Sequence, residues 1–342
     1  MQNTALGPLR TDNWIGDLSI YFPAFKNILI NRLLIPGSHD SGTSRLGSSA
    51  KTQSFTIKEQ LENGIRYLDI RPKVHNSTYY IHHEITGPDG SADLGYYSAN
   101  LNPDDASNNK YIFKQIRDFL KNNPSEILIL KFQNYKSFGK DDYFNLISLI
   151  KAYFTFDTPT SKCQLARFDH GTGAYIAKET VGSLLNANKR VFIIWAEADV
   201  PVEPKSKQIW DFAFKFTPSL TPVAPYCLWD PYWHDASDKL ANDDTPADFA
   251  KWWNWHETNL TTWADNSQSG FFVLQSQMQQ LPIGDADASA KRNNPKNIQH
   301  YIDWAKANKP LNILSFDFVN YGDLCAQVVN YYVDLLGKNS QP

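Results

Sequence analysis

Cysteine is scarce in this chain: 342 residues contain three, Cys163, Cys227 and Cys325. The odd number leaves at least one thiol outside any disulfide, and without a C-x-x-C spacing there is no zinc pattern to read. Redox compartment is left open by this count. Runs of lysine and arginine are missing too, and the formal net charge is −3. A nucleic-acid partner would ask for a basic face, so none is expected. No apolar stretch reaches the roughly 20 residues that span a bilayer. The nearest, Leu18 to Pro36, is interrupted by Pro23, Lys26, Asn27, Asn31 and Arg32. Met1-Gln2-Asn3-Thr4 does not begin a signal peptide, so any export signal is expected to have been removed. With no internal repeat and no low-complexity linker, residues 1–342 read as one domain.

What is present is a globular composition, 42% hydrophobic and 20% charged, with 14% aromatic residues and ten tryptophans. Short β-like runs alternate with helical ones. Leu33 to Ile35 reads as a strand ended by Pro36-Gly37, Phe55 to Asn63 as a helix, Ile65 to Val74 and Tyr79 to His83 as strands. Glu84 to Asn109 carries no periodicity and reads as a long polar loop. Further strands are expected at Ile127 to Phe132, Arg190 to Ala196, Tyr226 to Asp230, Phe271 to Met278 and Ile313 to Val319. Helices fall between them, at Tyr111 to Asn122, Asp141 to Phe154, Thr180 to Asn186, Ala247 to Asn259 and Gly322 to Leu336. This rhythm predicts parallel βα units, and seven or eight strands favour a closed or nearly closed α/β barrel over an open sheet.

Polar residues gather where these strands end. His39 and Asp40 follow the first strand, in Ile35-Pro36-Gly37-Ser38-His39-Asp40-Ser41-Gly42-Thr43. Asp69 and Arg71 lie two apart and so share a strand face. His82 and His83 close the next run, Lys131 sits inside an apolar strand, and Glu197, Asp230 and Asp317 end or interrupt three more. One such charge is explained by a structural ion pair. This many at one mouth calls for a charged ligand, because each costs several kcal/mol to desolvate alone. Two histidines, an arginine and a distant aspartate suit general acid-base cleavage of a phosphodiester. One imidazole takes a proton, the other supplies one, the guanidinium neutralises phosphoryl charge and the carboxylate orients the base.

These segments resemble the X-domain of bacterial phosphatidylinositol-specific phospholipase C. The resemblance runs through Ile35–Thr43, Gly64-Ile65-Arg66-Tyr67-Leu68-Asp69-Ile70-Arg71, Ile81-His82-His83, Phe119 to Leu130 and Ser315-Phe316-Asp317-Phe318-Val319. It implies a single distorted (βα)8 TIM-type barrel, a monomer secreted from the cell, that acts on phosphatidylinositol in membrane surfaces. The reaction it implies is attack of the inositol 2-hydroxyl on its own phosphate. Diacylglycerol leaves, and the inositol 1,2-cyclic phosphate is then hydrolysed slowly. By the same resemblance His39 is the general base, Asp317 its orienting partner, His83 the general acid helped by Asp40, and Arg71 the phosphate ligand. Asp69, Lys131, Asp230 and Tyr232 (in Leu228-Trp229-Asp230-Pro231-Tyr232) are then substrate-binding residues. Strand alternation lets only one of His82 and His83 face inward, and the family pattern selects His83.

Two positions depart from the family pattern: Glu84 stands where it has glycine, and Glu197 where an arginine is expected. Calcium-dependent relatives place an acidic ligand where Arg71 stands, so neither metal nor other cofactor is expected here. A bilayer substrate also requires peripheral membrane contact. Trp233 and, in the aromatic patch Phe249 to His256, Trp252 and Trp253 are the candidates, although helical spacing serves packing equally well. Two other readings stand beside this one: a metal-dependent glycerophosphodiester phosphodiesterase, and a catalytically inactive inositol-lipid-binding barrel.

Overall fold

A computed structural model describes residues 9–47, 50–83, 93–98, 101–166, 176–196, 213–216, 227–231, 246–265, 270–277 and 286–338. Thirteen strands lie among them. They are β1 (Ile35–Ser38), β2 (Tyr67–Ile70), β3 (Pro72–His75), β4 (Thr78–Ile81), β5 (Asp93–Tyr96), β6 (Leu128–Phe132) and β7 (Phe156–Asp157). The rest are β8 (Lys162–Leu165), β9 (Lys189–Ala196), β10 (Phe214–Phe216), β11 (Leu228–Trp229), β12 (Phe271–Gln275) and β13 (Ile313–Phe316). Ten form one sheet in the order β11-β12-β13-β1-β2-β6-β9-β8-β7, with β10 also on β9; every pairing is parallel except β7 with β8. The molecule is therefore α/β with a mixed sheet, in which β11 begins the path and β10 pairs with β9 off it.

The buried faces explain why these segments pair. Every residue of β6, β12 and β13 is buried, as expected for a parallel sheet covered on both sides. The helices Ile112–Asn122, Lys140–Phe154, Pro246–Ala264, Ala286–Lys306 and Leu324–Lys338 follow strands in the expected alternation. The cluster of buried apolar residues runs from Trp14 to Leu336. No helix among the described residues is long and apolar enough to cross a membrane.

Several boundaries differ from the sequence reading, each for a local reason. Pro36 and Gly37 lie inside β1 rather than ending it. The amides of Ile35 and His39 donate to the carbonyls of Asn312, just before β13, and Phe316, its last residue, so that of residue 36 would point the other way. The ladder with β2 begins only at Gly37, and proline loses no bond there. The expected strand Ile65 to Val74 is broken at Arg71 into β2 and β3, and β3 leaves the main sheet for an antiparallel one of order β3-β4-β5. Strand β5 falls inside the stretch read as a polar loop. Helix Ala286–Lys306 went unread because Pro295 interrupts its pattern.

At the amino end of the sheet a buried ion pair locks the frame. Arg66 Nε meets Glu126 Oε2 at 2.6 Å with both side chains almost fully buried. The other guanidinium nitrogens donate to the carbonyls of Leu61, Ile65, Thr11 and Asp12, and Glu126 Oε1 accepts the Gly16 amide at 2.9 Å. Removing one partner leaves an uncompensated buried charge. Glu126→Ala is expected to cost about 3–5 kcal/mol in urea unfolding, and a loss under about 1 kcal/mol would show that Arg66 finds other compensation.

Candidate active site

Strand β1 delivers His39 and Asp40 at its carboxyl end, and β2 delivers Asp69 and, one residue beyond, Arg71. Asp317 follows β13 directly. His83 arrives from outside the main sheet, at the end of β4, two residues past Ile81. The chain turns sharply after β1: Asp40 sits at φ 43°, a left-handed conformation that aspartate tolerates better than most residues. Serines brace that turn. Ser38 Oγ donates to Ser41 Oγ at 2.7 Å, Ser41 Oγ accepts the Asp69 amide at 2.8 Å, and the Ser41 amide donates to the Asp69 carbonyl at 2.9 Å. The β1 turn and the end of β2 are thus bolted together. A side chain at Gly42 would collide with Ile81, so its absence lets β4 end beside the turn.

The six titratable and charged residues converge. His39 Nδ1 lies 2.8 Å from Asp317 Oδ1, and its Nε2 lies 3.0 Å from an Arg71 terminal nitrogen and 3.5 Å from Asp40 Oδ2. Arg71 Nε pairs with Asp40 Oδ1, and its terminal nitrogen reaches Asp69 Oδ2 at 3.8 Å. His83 Nε2 is 3.0 Å from Asp40 Oδ2. A guanidinium only donates, so Nε2 of His39 must accept from it. The imidazole then carries its proton on Nδ1 and donates it to Asp317. That is the tautomer a base needs, held by a carboxylate behind it.

Electrostatics follow from burial and neighbours. Burial alone would lower the His39 pKa, but Asp40 and Asp317 outweigh it and the net direction is upward from 6.5. Burial likewise works against the Asp40 carboxylate, yet Arg71, with His39 and His83, holds it well below its ordinary range. Burial pushes Asp317 upward against the pull of His39. His82 takes no part in the cluster: its Nε2 donates to the Asn134 carbonyl at 2.6 Å, and burial lowers its pKa. The two adjacent histidines are separated as strand alternation requires.

Lys131 and Asp230, expected to bind substrate, are fully buried against each other, Nζ to Oδ2 at 2.8 Å. Residues that the sequence reading missed complete this layer. Gln275 Nε2 donates to the same Asp230 oxygen at 2.8 Å, Gln277 donates to Gln275 Oε1 at 2.7 Å, and Gln133 donates to Asp69 Oδ1 at 2.8 Å. All three lie at or just beyond a strand's carboxyl end, so extending the strand-end rule from charges to amides would have found them. His39, Asp40 and Asp69 are also near enough to share a metal ion, but Arg71 is ion-paired with both carboxylates. Tyr232, Trp233, Glu84 and Glu197 lie outside the described residues.

The tryptophans assigned to membrane contact need correction. Trp252 is 1% exposed and its ring stands edge-on to His256, with centroids 4.9 Å apart. Trp253 is half-buried, stacked on His300 at 3.6 Å, and donates to Asn297 Oδ1 at 3.0 Å. Both lie on the face of helix Pro246–Ala264 that packs on helix Ala286–Lys306, where burying an indole gains more than exposing it.

Asp40 contributes stability only while charged. Its folded pKa is depressed, so that contribution is full above the unfolded value near 3.9 and is lost as pH falls below it. The stability gap between the native chain and Asp40→Asn, followed by urea melts, is expected to be widest near neutrality and to narrow below about pH 4. A gap independent of pH would mean that the carboxylate gains nothing from its cationic neighbours.

No family model matches the chain. A 1-phosphatidylinositol phosphodiesterase of Listeria monocytogenes is 30% identical over 139 residues, 37% of this chain and 37% of that protein. The sequence match thus spans little more than a third of that curated relative. The solved structure of the phosphatidylinositol-specific phospholipase C from the same organism aligns over 94% of this chain and 98% of its own, at TM-score 0.59 and 18% identity. A Staphylococcus aureus phosphatidylinositol-specific phospholipase C, solved in work on its membrane binding, aligns over 94% and 97% at TM-score 0.55 and 16% identity. The resemblance read from the sequence is borne out, and the chain has the fold of the bacterial phosphatidylinositol-specific phospholipases C.

Proposed function

We propose that this chain is a metal-independent phosphatidylinositol diacylglycerol-lyase, secreted and acting at membrane surfaces, in which β10 and β11 close the sheet into a distorted (βα)8 barrel. One observation carries the reading. Asp40 lies between both imidazoles, 3.5 Å from His39 Nε2 and 3.0 Å from His83 Nε2, and is paired with Arg71. The residues assigned as base, acid and phosphoryl cation are therefore all within reach of one carboxylate. His39 takes the proton of the inositol 2-hydroxyl as its oxygen attacks phosphorus. The bond from phosphorus to the diacylglycerol oxygen breaks, and His83 protonates the leaving oxygen. An internal nucleophile needs orientation and proton transfer but no covalent enzyme intermediate. Arg71 offsets charge on the phosphoryl oxygens. The same guanidinium occupies the place where Asp40 and Asp69 would otherwise attract a divalent cation. Asp230, Lys131 and Tyr232 are assigned to the polyol, where the buried pair of the first two supplies both a donor and an acceptor.

The test is turnover of phosphatidylinositol vesicles followed by phosphorus NMR. A cyclic phosphodiester product is expected, undiminished by EDTA. His39→Ala and His83→Ala are each expected to lower kcat roughly 10²–10⁴-fold. Calcium-restored activity without a cyclic product would favour a metal-dependent glycerophosphodiester phosphodiesterase, and no turnover at all would favour a silent binding barrel.

A pH profile tests the base separately. His39 is raised above 6.5, so the acid limb of kcat/KM is expected to bend above that value, with activity lost as pH falls through it. In Asp317→Asn the limb should move down in pH. An unmoved limb would sever His39 from Asp317.

A further inference from the structure

Residues 52 and 53 make a set of bonds that the acid-base chemistry has not accounted for. Gln53 is fully buried, and its Nε2 donates to the His39 carbonyl at 2.8 Å and the Phe316 carbonyl at 2.9 Å. Its Oε1 accepts the Val319 amide at 3.2 Å. Beside it, the Thr52 carbonyl accepts the Phe318 amide at 2.7 Å, and Thr52 Oγ1 donates to the Asp40 carbonyl at 3.3 Å. Thr43 Oγ1 receives the Thr52 amide at 3.0 Å and anchors the strap to the far side of the β1 turn.

The bonded carbonyls and amides belong to two turns, and each turn is unfavourable by itself. Asp40 is at φ 43° and Phe318 at φ 46°, and left-handed backbone costs a non-glycine residue on the order of 1–3 kcal/mol. Each strained residue directly follows a member of the base pair, His39 or Asp317. From the other side, Asn294 Nδ2 donates to the Asp317 and Phe318 carbonyls at 2.7 and 3.2 Å. The β1–β13 ladder sets the backbone spacing only up to the bond from the His39 amide to Phe316. Beyond that point Thr52 and Gln53 each touch both turns, and Gln53 does so through a single side-chain amide.

We propose that Thr52 and Gln53 form a positioning strap for the acid-base site, the Gln53 amide setting the register of His39 against Asp317. This inference rests on the proposed lyase reading for its catalytic consequence, but not for its structural one. Without the amide, both turns relax toward ordinary backbone angles and the bond from Nδ1 to Oδ1 lengthens. His39 then keeps its fold position and loses its orientation.

The experiment compares the native chain with Gln53→Met, a side chain of similar length lacking the amide. Two readouts are taken: phosphatidylinositol turnover, and the His39 imidazole titration by NMR without substrate. The charged groups facing His39 are Asp40, Asp317 and Arg71, and none is altered. In folded Gln53→Met, kcat is expected to fall on the order of 10- to 100-fold with KM within about twofold, since misplacements of about 1 Å have this effect. The His39 midpoint is expected to drop toward about 6.5 as Asp317 is lost. Should the native chain fail to cleave the lipid while the midpoint still drops, the strap stands and the lyase reading falls. Unchanged kcat and midpoint in a folded variant overturn the strap. If Gln53→Met does not fold, Thr52→Val, which removes only the hydroxyl bonds, takes its place. A several-fold loss of kcat is then expected, and no change overturns the proposal.

Discussion

A carboxylate buried among three cationic or cation-capable groups is the interaction on which the site depends. Asp40 is 1% exposed, and alone in that environment it would protonate or unfold its surroundings. Arg71 and His83 make its charge tolerable, and Asp40 in turn keeps Arg71 from being an unpaired guanidinium in the protein interior. None of the partners is dispensable to the others. The cluster therefore specifies its own geometry more tightly than any one pair would. The arrangement proposed for catalysis is a by-product of that mutual need: the charges that make each other stable are the ones gathered around Asp40.

Around this cluster lies a shell of neutral hydrogen bonds that does the aiming. Ser41 joins β1 to β2, Gln133 holds Asp69, Gln275 holds Asp230, and Thr52 with Gln53 spans the turns after β1 and β13. Amides and hydroxyls suit the task because they satisfy buried carbonyls and carboxylates without adding charge. The Arg66–Glu126 pair plays a comparable part at the opposite end of the sheet, away from the candidate site.

Much of the site was legible along the chain. His39, Asp40, Asp69, Arg71, His83 and Asp317 stood out as polar residues ending apolar runs, and the structure brings all six together. Strand alternation allowed only one of His82 and His83 to face inward and the family pattern named His83, which lies 3.0 Å from Asp40 while His82 bonds to the Asn134 carbonyl. The aromatic patch was not decidable in the same way. Trp252 and Trp253 have helical spacing, and spacing does not say whether the facing element is a helix or a membrane; helix Ala286–Lys306 answers that. That helix was itself hidden by Pro295, whose cost is offset by packing that a local pattern cannot show.

What the amino-acid sequence determined by itself was the inventory and its rhythm: α/β alternation, buried strands, and which strand ends carry titratable groups. These follow from hydrophobic periodicity and from the cost of burying charge, both readable within a few residues. What only the tertiary structure decided was pairing. Lys131 finds Asp230 across 99 positions, His39 finds Asp317 across 278, and Gln53 reaches Phe316 across 263. Such contacts depend on where parallel strands lie in the sheet and how their ends register. That order is set by the packing of the whole core, and no window of sequence contains it.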